Sequence, residues 1–267
     1  MPFLGRGIKW VARAAVRPHQ YRGLYDLTRV FDDPGRVAVN YVFKKGTYPS
    51  QVTAATPIGK KSLTLYSVED LITANEIFAR KDYYLDERPR IVLDFGSNIG
   101  VSIAYFLTRN KHSYVYGYEP VPANVERLKH NLAEFEGRYE ITTKAVDVQA
   151  GRVDFATDET NRYGGIGRAD ELQSLGLSVT TFPVECLEAN AVIAGVIDKH
   201  GKIDVLKIDI EGQEEGVLRH IPRAMLDKID IIYSEGVFPS DLLAETHVKT
   251  VRGIVAKFVR HDLVGSV

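Results

Sequence analysis

The run Ile91-Val-Leu-Asp-Phe-Gly-Ser-Asn-Ile-Gly100 decides the fold that we predict for this chain. It starts as an apolar strand pattern, turns through glycines, and leads into a helical pattern that begins near Gly100. A second apolar run, residues 114–118, ends in Glu119 and Pro120. This order predicts a βαβ unit that binds a nucleoside at the carboxyl ends of its strands.

The spacing within the turn favours one class of nucleoside. A dinucleotide site needs Gly-x-Gly-x-x-Gly, in which the middle glycine lets the backbone approach a pyrophosphate. Here the glycines are Gly96 and Gly100, Asn98 lies between them, and Asp94 precedes them. An aspartate at that position repels a pyrophosphate but suits a ligand with an ammonium and a sulfonium, such as S-adenosylmethionine (SAM). We therefore expect a SAM site in which both oxygens of Glu119 accept ribose hydroxyls.

Composition places the chain among ordinary globular proteins. Its 267 residues are 45% hydrophobic and 26% charged, and the net charge of -1 gives no reason to expect a nucleic-acid partner. The single cysteine, Cys186, excludes an intramolecular disulfide and a Cys-rich zinc site. No apolar run approaches the roughly 18–20 residues of a membrane helix, and the first residues lack the apolar core of a secretory signal. We expect a cytoplasmic protein.

The chain divides into two predicted parts. Residues 1–85 form an N-terminal accessory or cap region, with short strands expected at Val37–Phe43 and Leu63–Tyr66 and a helix that Ser67 caps. In residues 86–267 strands alternate with helices, including a third strand over Glu140–Val146. This alternation predicts an α/β domain with a Rossmann-like parallel sheet and helices on both faces.

The first residues carry a charge bias of their own. Five basic residues precede the first acid, with apolar residues between them: Arg6, Lys9, Arg13, Arg17 and Arg22. One interpretation is a basic amphipathic segment that contacts a membrane surface or an anionic glycan carrier. The other is a helix that packs on the protein itself, and we favour that one. Neither interpretation predicts an oligomeric state.

Part of the chain resembles a known family. The segment Asp204-Val-Leu-Lys-Ile-Asp-Ile-Glu-Gly-Gln-Glu214 is similar to the signature of FkbM-type SAM-dependent O-methyltransferases, whose nucleotide half matches Asp94–Gly100 and Glu119-Pro120. The upstream residues Glu76-Ile-Phe78 and Tyr83-Tyr84 extend the resemblance, which covers residues 55–236. It implies a class I SAM methyltransferase sheet and methyl transfer to a hydroxyl, often on a sugar or a polyketide-type natural product.

The predicted cofactor contacts lie in the turn and at the strand ends. Backbone N–H groups of the turn receive the methionine carboxylate, and Asp94 holds the ammonium directly or through water. The segment after the third strand borders the adenine, where Asp147 is either an acceptor for the adenine amino group or a solvated turn residue. The full set is Asp94, Gly96, Ser97, Asn98, Gly100, Glu119, Pro120, Ala145, Val146 and Asp209.

Methyl transfer to a sugar hydroxyl calls for a general base, because the hydroxyl is a poor nucleophile at neutral pH. Asp209 and Glu211 are the leading candidates, and Glu235 is a third carboxylate on the same rim. As alternatives, Asp209 holds the sulfonium side of SAM and Glu211 caps the next helix. Strand alternation points Lys207 to the same face as Asp209, which predicts a structural ion pair.

The same three carboxylates also permit a magnesium ion that orients two sugar hydroxyls, which we do not favour. A small-molecule or glycan acceptor is expected to contact the loop of residues 160–168, where Tyr163 stacks on a sugar face and Arg162 or Arg168 pairs with an anionic carrier. The alternative is an ordinary surface connection. His247 is a weaker candidate on the acceptor side.

Two other classes of function compete with this prediction. An NAD(P)-linked oxidoreductase is opposed by the missing middle glycine and by Asp94. A non-enzymatic module on the same fold is opposed by the complete set of acids at the strand ends. Among methyl acceptors, a polyketide-type hydroxyl is the alternative to the sugar.

Overall fold

The computed structural model describes residues 26–85, 88–161 and 164–265. The chain forms two compact units, the first ending at Asp82 and the second beginning at Tyr83. None of the helices within the described ranges has both the length and the apolarity that a bilayer-crossing segment needs.

The first unit combines short helices with a hairpin. Residues 26–30 are helical, and the elements that follow are α1 (Pro34–Phe43), β1 (Ser50–Thr56), β2 (Gly59–Leu65) and α2 (Val68–Ala74). Strands β1 and β2 pair antiparallel with Ser50 opposite Leu65. A π-helical turn, Asn75–Ala79, continues α2.

The predicted strand at Val37–Phe43 is wrong, because these residues belong to α1. The carboxylate of Asp33 accepts the backbone N–H of Arg36 at 3.1 Å, and Pro34 occupies the first turn, where its missing N–H costs nothing. The predicted Ser67 cap of α2 is confirmed. Ser67 Oγ accepts the N–H of Asp70 at 3.1 Å, and Asp70 Oδ2 accepts the N–H of Ser67 at 3.0 Å.

The second unit contains the remaining elements. Its helices are α3 (Val101–Leu107), α4 (Pro122–Leu132), α5 (Ala169–Ser174), α6 (Ala189–His200), α7 (Glu214–His220) and α8 (Arg223–Leu226). Its strands are β3 (Ile91–Phe95), β4 (Tyr114–Tyr118), β5 (Tyr139–Thr142), β6 (Ala145–Asp147), β7 (Gly151–Asp158), β8 (Gly164–Ile166), β9 (Val179–Glu188), β10 (Ile203–Ile208), β11 (Ile229–Glu235), β12 (His247–Arg252) and β13 (Val255–Arg260).

Seven of these strands form the main sheet in the order β5-β4-β3-β10-β11-β13-β12. The first five are parallel to one another, whereas β13 runs antiparallel to β11 and β12 antiparallel to β13. Counted along the chain, the order is 3-2-1-4-5-7-6, a doubly wound parallel sheet with an antiparallel hairpin at one edge. The predicted Rossmann-like sheet is confirmed.

Helices cover both faces of this sheet. Leu93 and Leu206 point to one face, where they share an apolar core with α6 and α7. Gly117 belongs to the opposite face, and a side chain there would collide with Ile103 of α3. Because strand side chains alternate between faces, Asp94 and Lys207 also point toward α3.

A second sheet of four strands has the order β6-β9-β7-β8. The predicted third strand is divided between the two sheets, since β5 pairs with β4 while β6 pairs with β9. A tight turn in which Lys144 N–H donates to the carbonyl of Thr142 at 2.9 Å separates them. This sheet packs around Val121, Ala145, Phe155, Val184 and Cys186.

Candidate active site

The carboxyl ends of β3, β4 and β10 open into a solvent-accessible cleft of about 640 Å³. Parallel strands bring their carboxyl ends to one edge of a sheet, which is where ligands of this fold class bind. The cleft unites eight residues that the sequence predicted for the site: Gly96, Asn98, Glu119, Pro120, Ala145, Val146, Asp209 and Glu211.

The turn after β3 is pressed against the end of β10. Gly96 has φ +80°, and a Cβ at this position would overlap the backbone oxygen of Asp209. Asn98 adopts φ +46°, which is uncommon for a residue with a side chain. Gly100 has φ +85°, and a Cβ there would lie 2.9 Å from Leu128. Positions 96 and 100 therefore require glycine for two reasons: the backbone is left-handed, and a neighbouring group lies where a Cβ would be.

Glu119 is buried at the edge of the cleft and holds the turn in place. Its Oε2 accepts the N–H of Asn98 at 2.9 Å, and its Oε1 accepts the N–H of Val121 at 3.0 Å. Asn124 Nδ2 approaches Oε1 at 3.4 Å. Burial raises the pKa of Glu119 from 4.5 to about 7, although these hydrogen bonds act in the opposite direction.

Asp94 lies beneath the turn and is completely buried. Its Oδ2 accepts the hydroxyl of Ser102 at 2.5 Å, and its Oδ1 lies 3.0 Å from Lys207 Nζ. Lys207 also donates to the carbonyls of Gly96 at 2.7 Å and Phe95 at 3.3 Å. Asp94 therefore faces a buried cation and the turn. Ser97 is likewise buried, and its hydroxyl donates to the Asp94 carbonyl.

Lys207 connects the turn to the end of β10. Its ammonium lies 3.4 Å from Asp209 Oδ2 as well as beside Asp94. Burial by itself lowers the pKa of this lysine, but the two aspartates outweigh burial and the net shift is upward. Lys207 thus stays charged, as a structural ion pair requires.

Besides the buried Glu119, the carboxylates of Asp209 and Glu211 line the cleft, with side chains 24% and 38% exposed. Glu211 has φ +59°, and its Oε2 lies 2.6 Å from Nη1 of Arg168. Glu211 does not cap the next helix, because α7 has Gln213 at its N-cap position and no side-chain cap hydrogen bond. The carboxylate of Glu214 accepts the loop N–H groups of Ile210 at 3.0 Å and Gly212 at 2.9 Å.

Glu235 ends β11 and stands apart from the lining of the cleft. Tyr83 donates its hydroxyl to Glu235 Oε1 at 3.3 Å, and its ring packs against Tyr233 and Phe106. Burial, reinforced by the charge of Glu235, raises the pKa of Tyr83 well above 10, so the phenol remains a donor. Among the described residues no three His, Cys, Asp or Glu side chains are arranged to hold a metal ion.

His247 lies at the opposite edge of the main sheet, which corrects its predicted place beside the acceptor. Its Nε2 contacts the carbonyl of Ile229, at the start of β11, at 3.1 Å, and its Nδ1 contacts Thr246 Oγ1 at 2.8 Å. Burial lowers its pKa to about 4. We assign His247 a structural role. Arg162, Tyr163 and the basic segment of residues 6–22 lie outside the described residues.

One wall of the cleft comes from the second sheet and from α4, and includes Asn124, Phe155, Asn161 and Ile166. Asn161 and Ile166 belong to the loop of residues 160–168 that the sequence predicted for the acceptor, whereas Asn124 and Phe155 were not predicted. Asn124 Nδ2 donates to the carbonyl of Asn161 at 2.8 Å and so joins α4 to the loop after β7. Asn124 and Phe155 belong to no motif in the sequence.

Residues 94–245 match the family model described as the methyltransferase FkbM domain, which is more than half of the chain. Methyltransferase 1 of Beauveria bassiana is 24% identical over 60% of this chain and 70% of its own length. Hexuronic acid methyltransferase AglP of Haloferax volcanii is 25% identical over 78% of this chain and 85% of its own length.

Among solved structures, the methyltransferase FkbM of Methylobacillus flagellatus is 15% identical, with a TM-score of 0.46 over 72% of this chain. The chain spans about half, 54%, of the length of that protein. The family model matches the stretch that carries the Gly96 turn, Glu119 and the Asp209–Glu211 rim. The chain belongs to the FkbM methyltransferase family.

Proposed function

We propose that this protein is a SAM-dependent O-methyltransferase that methylates a sugar hydroxyl in a glycoside, glycolipid or polysaccharide precursor. The proposal rests on the cleft, where the Gly96 turn and the carboxylates of Glu119, Asp209 and Glu211 meet at the ends of adjacent strands. In this proposal residues 86–267 are the methyltransferase domain of a cytoplasmic enzyme, and residues 1–85 are its accessory region.

The residues of the cleft fit SAM. A carboxylate offers about four acceptor positions, and three donors already approach Glu119. One ribose hydroxyl can therefore bind at Oε2, while a second must displace the long contact from Asn124. Ala145 and Val146 border the adenine. Asp94 supports the turn from below through Lys207.

When bound, SAM supplies a methyl group on a cationic sulfonium. This methyl group would go to the acceptor oxygen, and the proton of the acceptor hydroxyl would have to move to a base of the protein. Asp209 and Glu211 are placed for this step, since both carboxylates line the cleft beside the turn. Charge is dispersed in this reaction, so positioning and exclusion of water should provide most of the acceleration.

The choice of a sugar acceptor has two supports. One similar protein is named a hexuronic acid methyltransferase, and its similarity extends over 78% of this chain. The sequence of the loop containing Arg162 and Tyr163 offers an aromatic face for sugar C–H surfaces and a guanidinium for an anionic group. A polyketide-type hydroxyl is the alternative acceptor.

Binding and transfer are tested separately. Calorimetry should show that the protein binds S-adenosylhomocysteine (SAH) and does not bind NAD(H). Transfer from labelled SAM is then measured with methyl glucuronide, methyl glucoside and a phenolic polyketide as acceptors. Methylation of the phenol alone would refute the sugar assignment, and binding of NADH without SAH would refute the proposal altogether.

The base is tested with amide substitutions. If Asp209 or Glu211 takes the proton, Asp209→Asn or Glu211→Gln should lower kcat by roughly a hundredfold while SAH still binds. Glu215→Gln is the matched control, because Glu215 lies in α7 and forms an exposed ion pair with Arg219. A parent-like kcat in both site variants would remove these residues from the mechanism.

A further inference from the structure

The loop after β10 holds Glu211 in an unusual conformation. Its φ of +59° lies in the left-handed region, which residues with a Cβ adopt only where the surroundings hold them. Glu214 fixes the backbone on both sides by accepting the N–H groups of Ile210 and Gly212. The backbone is thus set within the loop, but the direction of the Glu211 side chain is set from outside it.

The Glu211 side chain is contacted by Arg168, which lies between β8 and α5. Its Nη1 lies 2.6 Å from Glu211 Oε2. Its Nε and Nη2 donate to the two carboxylate oxygens of Glu171 at 2.8 and 2.9 Å, so the guanidinium is itself oriented. Arg168 therefore connects the wall formed by the second sheet to the rim of the cleft.

The backbone beside this ion pair is closely packed. A Cβ at Gly165 in β8 would lie 3.2 Å from Cγ of Arg168 and 3.0 Å from the carbonyl oxygen of Glu211. Strand β8 thus lies directly against the Glu211 loop. This packing keeps the backbone segments that carry Arg168 and Glu211 close to each other.

We infer that Arg168 is a positioning residue for methyl transfer, which holds one oxygen of Glu211 and thereby fixes how its carboxylate meets the acceptor hydroxyl. The guanidinium of Arg168 already contacts the carboxylates of Glu171 and Glu211. We therefore assign Arg168 this role in place of the predicted pairing with an anionic carrier. The inference rests on the proposed function, because Glu211 matters to catalysis only if a carboxylate acts on the acceptor.

A double-mutant cycle tests the inference. Arg168→Met should lower kcat for methyl glucuronide about tenfold or more, with the Kd of SAH changed by less than about twofold. In the Glu211→Gln background the same substitution should change kcat by less than about twofold, since the carboxylate to be positioned is gone. Arg168→Lys should restore part of the activity, because one charged contact remains. Arg219→Met, which removes an exposed arginine paired with Glu215, should behave like the parent.

Two outcomes would overturn the inference. One is an equal loss of kcat on Arg168→Met in both backgrounds, which would mean that Arg168 acts independently of Glu211. The other is a loss of SAH affinity as large as the loss of kcat, which would assign Arg168 to the cofactor. Urea unfolding of the four proteins of the cycle provides a measurement that needs no acceptor. The losses of stability on Arg168→Met and on Glu211→Gln should add up to more than the loss in the double variant, because each substitution removes the same ion pair; full additivity would refute the link even if every tested acceptor failed.

Discussion

The ammonium of Lys207 lies 3.0 Å from Asp94 Oδ1, and the two side chains are only 3% and 0% exposed. The same ammonium donates to the carbonyl of Gly96, in the turn at the floor of the cleft. The pair therefore joins the two motifs from which the function was inferred, one ending β3 and the other ending β10. Removing either charge should affect stability first and the cleft second.

Lys207→Met is expected to lower the free energy of unfolding by about 3–5 kcal/mol, because it leaves Asp94 buried without its counter-ion. The double variant Lys207→Met/Asp94→Asn should recover most of this loss, since both charges are then absent. Urea unfolding measures both effects. Arg223→Met removes an exposed ion pair with Glu245 and should cost less than about 1 kcal/mol. A double variant as unstable as the single one would contradict the assignment.

Gly96→Ala and Gly137→Ala form a matched comparison. The two glycines have nearly the same φ, +80° and +78°, but a Cβ at Gly137 meets open space while one at Gly96 overlaps the Asp209 carbonyl. Gly137→Ala should therefore cost roughly 1–2 kcal/mol of stability for its left-handed backbone and leave SAH binding unchanged. Gly96→Ala should also weaken SAH binding tenfold or more in calorimetry. Equal SAH affinity in the two variants would show that the turn tolerates the displacement.

The sequence was sufficient for the parts of the fold that depend on local pattern. The βαβ unit follows from apolar runs that end in Asp94 and Glu119, and the side of the sheet on which Lys207 lies follows from strand alternation. Helix α1 was missed because Val37–Phe43 was interpreted as a strand, although a capping carboxylate, Asp33, followed by Pro34 begins a helix there.

Contacts between distant residues were beyond sequence reasoning. Arg168 and Glu211 lie 43 positions apart, and Asn124 and Asn161 lie 37 apart, with no motif that relates them. Asp94 was expected to contact the ligand, but burial and the neighbouring Lys207 place it beneath the turn. The contacts of Arg168 and Asn161 depend on how the second sheet packs against the main sheet, which a single sequence does not specify.

Chelation should leave methyl transfer unchanged. Two of the three carboxylates considered for magnesium already have cationic partners, since Glu211 pairs with Arg168 and Asp209 lies 3.4 Å from Lys207. A metal ion at this site would either have to displace the charged groups of Arg168 and Lys207 or be repelled by them. The measurement is transfer of labelled methyl with and without EDTA. Loss of activity that magnesium restores would establish the metal mechanism instead.

Glu119 should make the unliganded protein less stable as pH rises. The pKa of Glu119 is about 7 in the folded protein, above the ordinary glutamate pKa of 4.5 that applies to the unfolded chain. The folded state therefore binds this proton more tightly than the unfolded state. The resulting stabilisation is complete below pH 4.5 and is lost as pH rises through 7. The Tm of the parent, relative to that of Glu119→Gln, should fall between pH 5 and 8. A constant difference would mean that Glu119 does not titrate in this range.

SAH binding should show the opposite dependence on pH. Ribose hydroxyls donate to Glu119 only when its carboxylate accepts, so binding favours the ionised form, whose fraction at pH 6 is about one tenth of that at pH 8 for a pKa of about 7. We expect the affinity to be close to tenfold weaker at pH 6 than at pH 8, with a proton released on binding near pH 6.5. Calorimetry in buffers of different ionisation enthalpy measures both quantities. Glu119→Gln should bind more weakly at pH 8 and lose the dependence on pH, because the amide does not titrate. If that variant kept the same pH profile as the parent, another group would control the coupling and the ribose would not be held by Glu119.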